Sequence, residues 1–366
     1  MKNNINSLLD FIEKKENLKK SHPLKYLLWE ATIRCNLECL HCYRECGAYN
    51  QQYIKNELRA TNIKELLFDI AKKYNPNDIF FGITGGEPFL RDDISEIGEY
   101  ADSLGYSWGV ITNGVFLNKE LINSLKKANI SSLAISLDGL EAQNDTIRNQ
   151  KGLFKKIVKN IELLIESGLK DIITIKFCAN KLNINNLDEF LKYIENLGLN
   201  RVNISPVFYY GRGKDKKLSL SPMELKYLLE FVKNKREEGK EGISIDDGYW
   251  GPEYEMKIRD GMFFSIAGIT MATILYNGDI AGSANSYYSN LIEGNIKRDN
   301  FLEVWESKFY NYRDGKEEFF KKSCSGCEHW DLCEGDSIYN IEQLLEKGEC
   351  RYKSLTKYLS QIRELE

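Results

Sequence analysis

Three cysteines lie close together in Cys35-Asn-Leu-Glu-Cys39-Leu-His-Cys42, a C-x3-C-x2-C run. Three thiolates are one short of a closed structural zinc site. They suit a [4Fe–4S] cluster that leaves one iron open to a small molecule. A second group, Cys324-Ser-Gly-Cys327-Glu-His-Trp-Asp-Leu-Cys333 followed by Cys350, has the spacing C-x2-C-x5-C-x16-C. Four thiolates can close around zinc or ligate every iron of a [4Fe–4S] cluster, and spacing alone does not choose. Of the nine cysteines, only Cys46 and Cys178 fall outside the two groups. An odd count, clustered at ligand spacing in a chain without a secretory h-region, points to metal rather than disulfides. Oxygen-labile iron needs a reducing compartment, so a cytoplasmic location is expected.

The pattern around these residues says what positions them. The 366-residue chain is 42% hydrophobic, enough for one large core or a main domain with a smaller companion. Its 50 basic and 54 acidic residues give a net charge of −4 and no electrostatic case for nucleic acid or an anionic membrane. No apolar run approaches the roughly 18 residues of a membrane span. Residues 1–25 are polar apart from Leu8, Leu9, Phe11 and Ile12, and read as a leading helix or arm. Short apolar or β-branched runs predict strands over 26–33, 78–83, 107–111, 131–136, 171–178 and 201–206. Helical periodicity between and after them covers 61–74, 93–104, 118–128, 153–167, 186–197 and 221–238. This α/β alternation over residues 26–242 predicts parallel βαβ units, as a partial barrel or a doubly wound open sheet. Either architecture puts ligands at the C-terminal ends of the strands. Residues 243–366 differ: glycine and aromatics are dense, Asn277-Gly278 signals a hairpin, and a charged helix is predicted over 352–364. They read as a second, smaller module.

The strand ends carry the unusual residues. The first runs into the three-cysteine loop. The second ends at Thr84-Gly85-Gly86-Glu87-Pro88, where paired glycines let a ligand approach the backbone and a carboxylate follows. The third ends at Thr112-Asn113-Gly114, and the fourth at Ser136-Leu137-Asp138-Gly139 with Arg148 beyond. Ser136 and Asp138 suit hydroxyls and Arg148 a carboxylate. Cluster, amine, hydroxyl and carboxylate sites are together the parts of a methionine-derived nucleoside.

The combination resembles the radical S-adenosylmethionine (radical SAM) superfamily over residues 26 to about 210. The likeness rests on Cys35, Cys39 and Cys42, on Gly85-Gly86-Glu87-Pro88, and on the Ser136–Asp138 strand end. It implies a partial (β/α)6 TIM-like barrel and a [4Fe–4S] cluster whose open iron binds the amino and carboxylate groups of S-adenosylmethionine (SAM). One electron then cleaves the sulfonium to a 5′-deoxyadenosyl radical, which takes hydrogen from the substrate. The resemblance also implies that Gly85, Gly86 and Glu87 hold the methionyl amine and that His41 lies near the adenine. Asn113, Ser136, Asp138 and Arg148 would complete the SAM site, with Ser136 and Asp138 toward ribose or nearby hydroxyls.

Behind such a barrel, the four C-terminal cysteines resemble the SPASM/Twitch extension, and the resemblance turns Cys324, Cys327, Cys333 and Cys350 from a zinc-or-iron alternative into one auxiliary [4Fe–4S] cluster. A full SPASM module would add three cysteines where this chain has Ser265, Ser283 and Ser337. One auxiliary cluster is therefore expected, not two. Sulfatase maturases of similar architecture keep an aspartate base where this chain has Ala284, which argues against oxidation of a Ser or Cys side chain by that route. Asp279 reads as a turn residue. Cys46 reads as a bystander. Cys178, at the end of a strand, is either a small buried hydrophobe or a hydrogen-atom donor to a substrate radical. Asp246, Asp247, Tyr249 and Trp250 fall at the module junction and could line the substrate cleft.

The expected function is hydrogen abstraction after reductive SAM cleavage, with a ribosomally synthesised peptide as substrate, modified by crosslinking, epimerisation or a related step. That substrate class follows from the resemblance alone. Since only about 25 residues precede the barrel, no winged peptide-binding domain is expected there, and a separate leader-binding protein or a leaderless substrate would be needed. A flavodoxin or ferredoxin would supply electrons. A radical SAM enzyme of porphyrin, sugar or cofactor precursors is the alternative. A non-catalytic iron–sulfur carrier or scaffold is the third reading, against which the intact cysteine triad and Gly-Gly-Glu-Pro argue.

Overall fold

The computed structural model describes residues 2–43, 46, 55–284, 291–336 and 350–363. Helix α1 (Lys2–Ser21) leads into β1 (Tyr26–Glu30). Then follow α2 (Ala60–Lys73), β2 (Phe80–Thr84), α3 (Ile94–Ser103), β3 (Ser107–Thr112), α4 (Lys119–Lys127) and β4 (Ser132–Ser136). Two helices, α5 (Glu141–Ile147) and α6 (Leu153–Glu166), precede β5 (Ile173–Ala179), α7 (Leu187–Asn196), β6 (Val202–Pro206), α8 (Pro222–Glu237) and β7 (Ile243–Ile245). After α9 (Glu255–Ile258) come β8 (Met271–Ile274), β9 (Asp279–Ala281), β10 (Ile292–Asn295), α10 (Phe301–Ser307), α11 (Lys316–Cys324), α12 (Trp330–Cys333) and α13 (Arg351–Arg363). No helix among the described residues is long and apolar enough to cross a membrane.

The helices are amphipathic and pack on the sheet through one stripe. In α6, Ile157, Ile161 and Leu164 are buried; in α4, Ile122 and Leu125 are. Helix α8 opens with a capping box, in which Ser221 Oγ accepts from the Glu224 N–H while Glu224 accepts from the Ser221 N–H. The six predicted strands form, each within a few residues of its expected bounds. The first stops early, at Glu30, because residues 31–34 leave the ladder to build the cysteine loop.

Sheet order is β10-β9-β8-β1-β2-β3-β4-β5-β6-β7. The pairs from β1 to β7, and β1 with β8, are parallel; β8–β9 and β9–β10 are antiparallel. The sheet does not close, and β7 and β10 are its ends. Strand β7 has only three residues, too short to read as a strand in sequence. The hairpin signalled by Asn277-Gly278 is β8–β9, and it pairs beside β1.

Strands β5 and β6 alternate strictly. Ile173, Ile175, Phe177 and Ala179 on β5, with Val202 and Ile204 on β6, are buried against the helices. Thr174, Lys176, Cys178, Asn203 and Ser205 are half-exposed on the opposite, inner face. A period of two places these polar groups in a row inside the curved sheet.

Candidate active site at the strand ends

Backbone hydrogen bonds hold the cysteine loop to the neighbouring strand end. The Ala31 N–H donates to Thr84 O (2.8 Å), the Gly86 N–H to Thr32 O (2.7 Å) and the Glu87 N–H to Arg34 O (2.8 Å). A Cβ at Gly85 would stand 2.4 Å from Thr32 O, and one at Gly86 would stand 2.1 Å from Arg34 O. The close neighbour that these glycines admit is thus the protein's own cysteine loop, a second reason for their absent side chains beside the ligand approach read from sequence. On the far side, Arg212 Nε donates to Cys39 O (2.8 Å) and the Arg212 N–H to Cys42 O (3.0 Å). Gly211 just before it has φ +51°, and a Cβ there would meet Tyr43 O at 2.5 Å.

Cys35, Cys39 and Cys42 are half-buried. Burial pushes Cys35 up to about 12 and Cys39 up to about 11, and the thiols near one another add to the rise. Cys35 and Cys39 in this setting keep their protons unless a cation holds the thiolates. Two donors already face Cys35 Sγ: the Leu37 N–H at 3.4 Å and Asn113 Nδ2 at 4.0 Å. The donor set fits a three-thiolate iron–sulfur cluster.

Glu87 is fully buried and committed. It accepts from the Asn113 N–H (2.8 Å), Thr112 Oγ1 (2.8 Å) and the Phe89 N–H (3.1 Å). Burial pushes it up to about 7 against the pull of those donors. It locks the Gly-Gly loop to the end of β3. Asn113 Nδ2 in turn reaches Asn36 Oδ1 (2.8 Å) in the cysteine loop.

Asp138 is the second hub. Its Oδ1 accepts from the Cys178 N–H (2.8 Å), and its Oδ2 lies 2.8 Å from an Arg148 guanidinium nitrogen and 3.5 Å from His41 Nε2. Asp138 and Arg148 are both buried. The carboxylate that Arg148 binds is therefore the protein's own Asp138, while its Nε has no hydrogen-bond partner. Burial lowers His41, and Arg148 and Arg212 beside it act in the same direction against Asp138. Cys178 is raised well above an ordinary thiol by burial and by Asp138, so it carries its proton. Its carbonyl accepts from Asn180 Nδ2 and Asn183 Nδ2. Ser136, the last residue of β4, is half-buried in register with Lys176.

Cys324, Cys327, Cys333 and Cys350 line one narrow cavity with Tyr249, His329, Asp336 and Tyr352. Burial raises Cys324 to about 11 and also raises Cys333 and Cys350. Among the described residues no three His, Cys, Asp or Glu side chains are grouped to hold a single metal ion. The fit to a cluster rests on four thiols sharing one buried space. Beside them, Lys15 Nζ lies 2.8 Å and Lys316 Nζ 3.9 Å from Glu334, which Lys19 also contacts. Arg351 follows Cys350, donates to Val207 O (3.0 Å), and lies over the rings of Phe208 and Trp250.

Of the remaining residues singled out in sequence, Asp279 is bonded to Asn277 and Asn295 in its turn. Ser265 and Ser283 line a common cavity, Ala284 is buried, and Ser337 lies outside the described residues. Cys46 is buried, and its carbonyl lies 3.5 Å from Arg212. Sequence reasoning missed Asn36, Arg212 and Arg351. Only the adjacency of Asn36 and Arg351 to cluster cysteines offered a signal, and Arg212 had none, since its contact with Cys39 spans 173 positions.

Residues 29–194 match the model of the radical SAM superfamily. The Fe-coproporphyrin III synthase of Methanosarcina barkeri is 27% identical over 337 residues, covering 85% of this chain and 82% of that protein. The mycofactocin maturase MftC of Mycolicibacterium smegmatis is 28% identical over 316 residues, covering 84% and 76%. Among solved structures, Streptococcus suis SuiB bound to its precursor peptide SuiA shares the fold, with a TM-score of 0.69, 20% identity and coverage of 89% and 75%.

Proposed function

We propose that this radical SAM enzyme, with its superfamily segment at residues 29–194, cleaves SAM reductively and takes a hydrogen atom from a small-molecule substrate. The observation that carries the reading is the half-buried thiol triad at the end of β1, braced through Gly85–Glu87 and Asn113. When bound to Cys35, Cys39 and Cys42, the [4Fe–4S] cluster supplies the electron that splits the sulfonium and releases the 5′-deoxyadenosyl radical. The chain's own residues do the positioning. Backbone carbonyls of the 84–88 loop receive the methionyl amine, with Glu87 holding that loop in place. Asp138 and Arg148 fix the floor beside His41, where adenine and ribose would lie, with Ser136 at the strand end.

Peptide modification is the reading the sequence favours, and the likeness to MftC keeps it as the second reading. A small molecule is preferred here because a cavity of about 770 Å3 lies within the range typical of small-molecule sites. The synthase among the relatives points the same way. For the second module, residues 243–366, we propose a SPASM/Twitch-like unit holding one auxiliary [4Fe–4S] cluster on its four cysteines. Cys178 would serve as hydrogen donor where the product needs one: its S–H hydrogen passes to the substrate radical, and an external flavodoxin- or ferredoxin-type reductant restores the thiol with one electron and one proton.

Anaerobic reconstitution tests the core of this reading. About eight irons per chain and 5′-deoxyadenosine formed from SAM with a strong reductant are expected. A fully loaded protein that makes no deoxyadenosine would overturn it in favour of an iron–sulfur carrier.

A further inference from the structure

Cys333 sits on the least self-sufficient stretch of the four-thiol site. Helix α12 (Trp330–Cys333) is a single turn, too short to be stable on its own. Directly behind it, Glu334, Gly335 and Asp336 have φ of +48°, +83° and +68°. Residues with side chains enter this left-handed region as single positions rather than runs, and such a turn persists only where its surroundings fix it. Its amides close back on the helix: the Glu334 N–H donates to Trp330 O (2.9 Å) and the Asp336 N–H to Cys333 O (3.1 Å). By contrast, Cys324 ends α11, which has nine residues, and Cys350 immediately precedes α13, which has thirteen.

Two side-chain anchors hold the turn. Asp336 is buried and accepts from the Tyr249 N–H (2.7 Å). Glu334, also buried, is held from α1: Lys15 Nζ lies 2.8 Å from its carboxylate, and Lys19 contacts it as well. Lys316 of α11 stands farther off, at 3.9 Å. Lys15 makes a second bond, donating to Asp331 O across 316 positions of sequence. Its ammonium therefore grips the chain two residues before Cys333 and one residue after it. Lys15 is only 2% exposed, and an ammonium stays charged at such a position only where acceptors offset its lost hydration. Both acceptors named here flank one cysteine.

We infer that Lys15 is a positioning residue for the C-terminal centre: α1, from the opposite end of the sequence, fixes the turn that presents Cys333. The inference rests on the reading of Cys324, Cys327, Cys333 and Cys350 as the ligands of one cluster. Because the bonds of Lys15 fall on both sides of Cys333, their loss frees that thiol ahead of its three companions.

Anaerobic alkylation of the reconstituted full chain with N-ethylmaleimide, read cysteine by cysteine by peptide mass spectrometry, tests it. In the wild type the four C-terminal thiols should be protected together. In Lys15→Met, Cys333 should react about tenfold faster, ahead of Cys324, Cys327 and Cys350, because two charge-assisted bonds no longer oppose local opening. Cys35, Cys39 and Cys42 should react as in the wild type. Lys15→Arg, which keeps the charge and several donors, should restore most of the protection, and Lys19→Met, which spares the bond to Asp331, should release Cys333 less. Equal protection of Cys333 in Lys15→Met and wild type, or release of all four thiols at one rate, overturns the inference. Lys15→Gln, which keeps a donor for Asp331 O, is read beside Lys15→Met. If both variants also release the thiols of the radical site, α1 supports the whole fold rather than Cys333, and the inference falls. Free alkylation of all four C-terminal thiols in the reconstituted wild type defeats instead the cluster reading, and with it the role of Lys15 there.

Discussion

Glu87 and Asp138 act on their sites by holding other groups in place. Asp138 neutralises buried Arg148 and accepts from the Cys178 N–H. Asp138→Asn leaves the guanidinium buried without its counter-charge, so chemical denaturation should show a loss of about 3–5 kcal/mol; a loss under 1 kcal/mol would mean the pair is dispensable. For Glu87, the folded protein keeps its proton up to about pH 7, whereas an unfolded glutamate releases it near pH 4.3. Within that window the folded state binds more protons, so stability falls as pH rises. The stability advantage of wild type over Glu87→Gln should narrow from pH 4.5 to 7, and a pH-independent gap would refute the shift. At this scale the sequence made the cysteines and strand-end motifs legible, because their types are unusual and their spacing local. It could not show that Glu87 and Arg148 spend themselves on protein partners, since those partners lie on other strands.

Among the elements, α1 carries more than its polar composition announces. Lys15 is almost fully buried and, with Lys19 and Lys316, surrounds Glu334 next to Cys333. Three ammonium groups around one buried carboxylate leave positive charge to spare, and Lys316 Nζ has no hydrogen-bond partner. A tetrathiolate iron–sulfur centre is anionic, so this charge suits it. Lys316→Met, which removes a poorly solvated cation, should leave the melting temperature little changed while lowering the midpoint potential of the C-terminal centre in an EPR titration. An unchanged midpoint would show the lysine to be irrelevant to that centre. The long periodic helices were readable because their apolar stripes repeat over several turns. Helix α5 and strand β7 span seven and three residues, too few for any period to register, and tertiary pairing alone defines them.

At the scale of the molecule, the two thiol groups divide by role. Cys35→Ala should abolish deoxyadenosine formation. Cys333→Ala should lose about half of the iron yet keep deoxyadenosine formation without substrate. Iron analysis and a chromatographic assay read both, and equal loss of activity in the two variants would refute the division. The α/β alternation told the parallel sheet in advance. It could not tell that β8 returns to pair with β1, since that pairing joins residues at opposite ends of the sequence.

That pairing sets an order on synthesis. Of the described strands β1 leaves the ribosome before the others, and Met271–Ile274, its partner on one side, follows some 240 residues later. At usual elongation rates the delay is roughly 10 to 50 seconds. Through that time one edge of β1 has no partner, and an open strand edge is a template for mispairing with other chains. The three-cysteine loop begins directly behind that edge. The nascent chain thus carries three cluster-spaced cysteines next to an unpaired strand edge, where pairing with another chain would bring their thiols within reach of that chain.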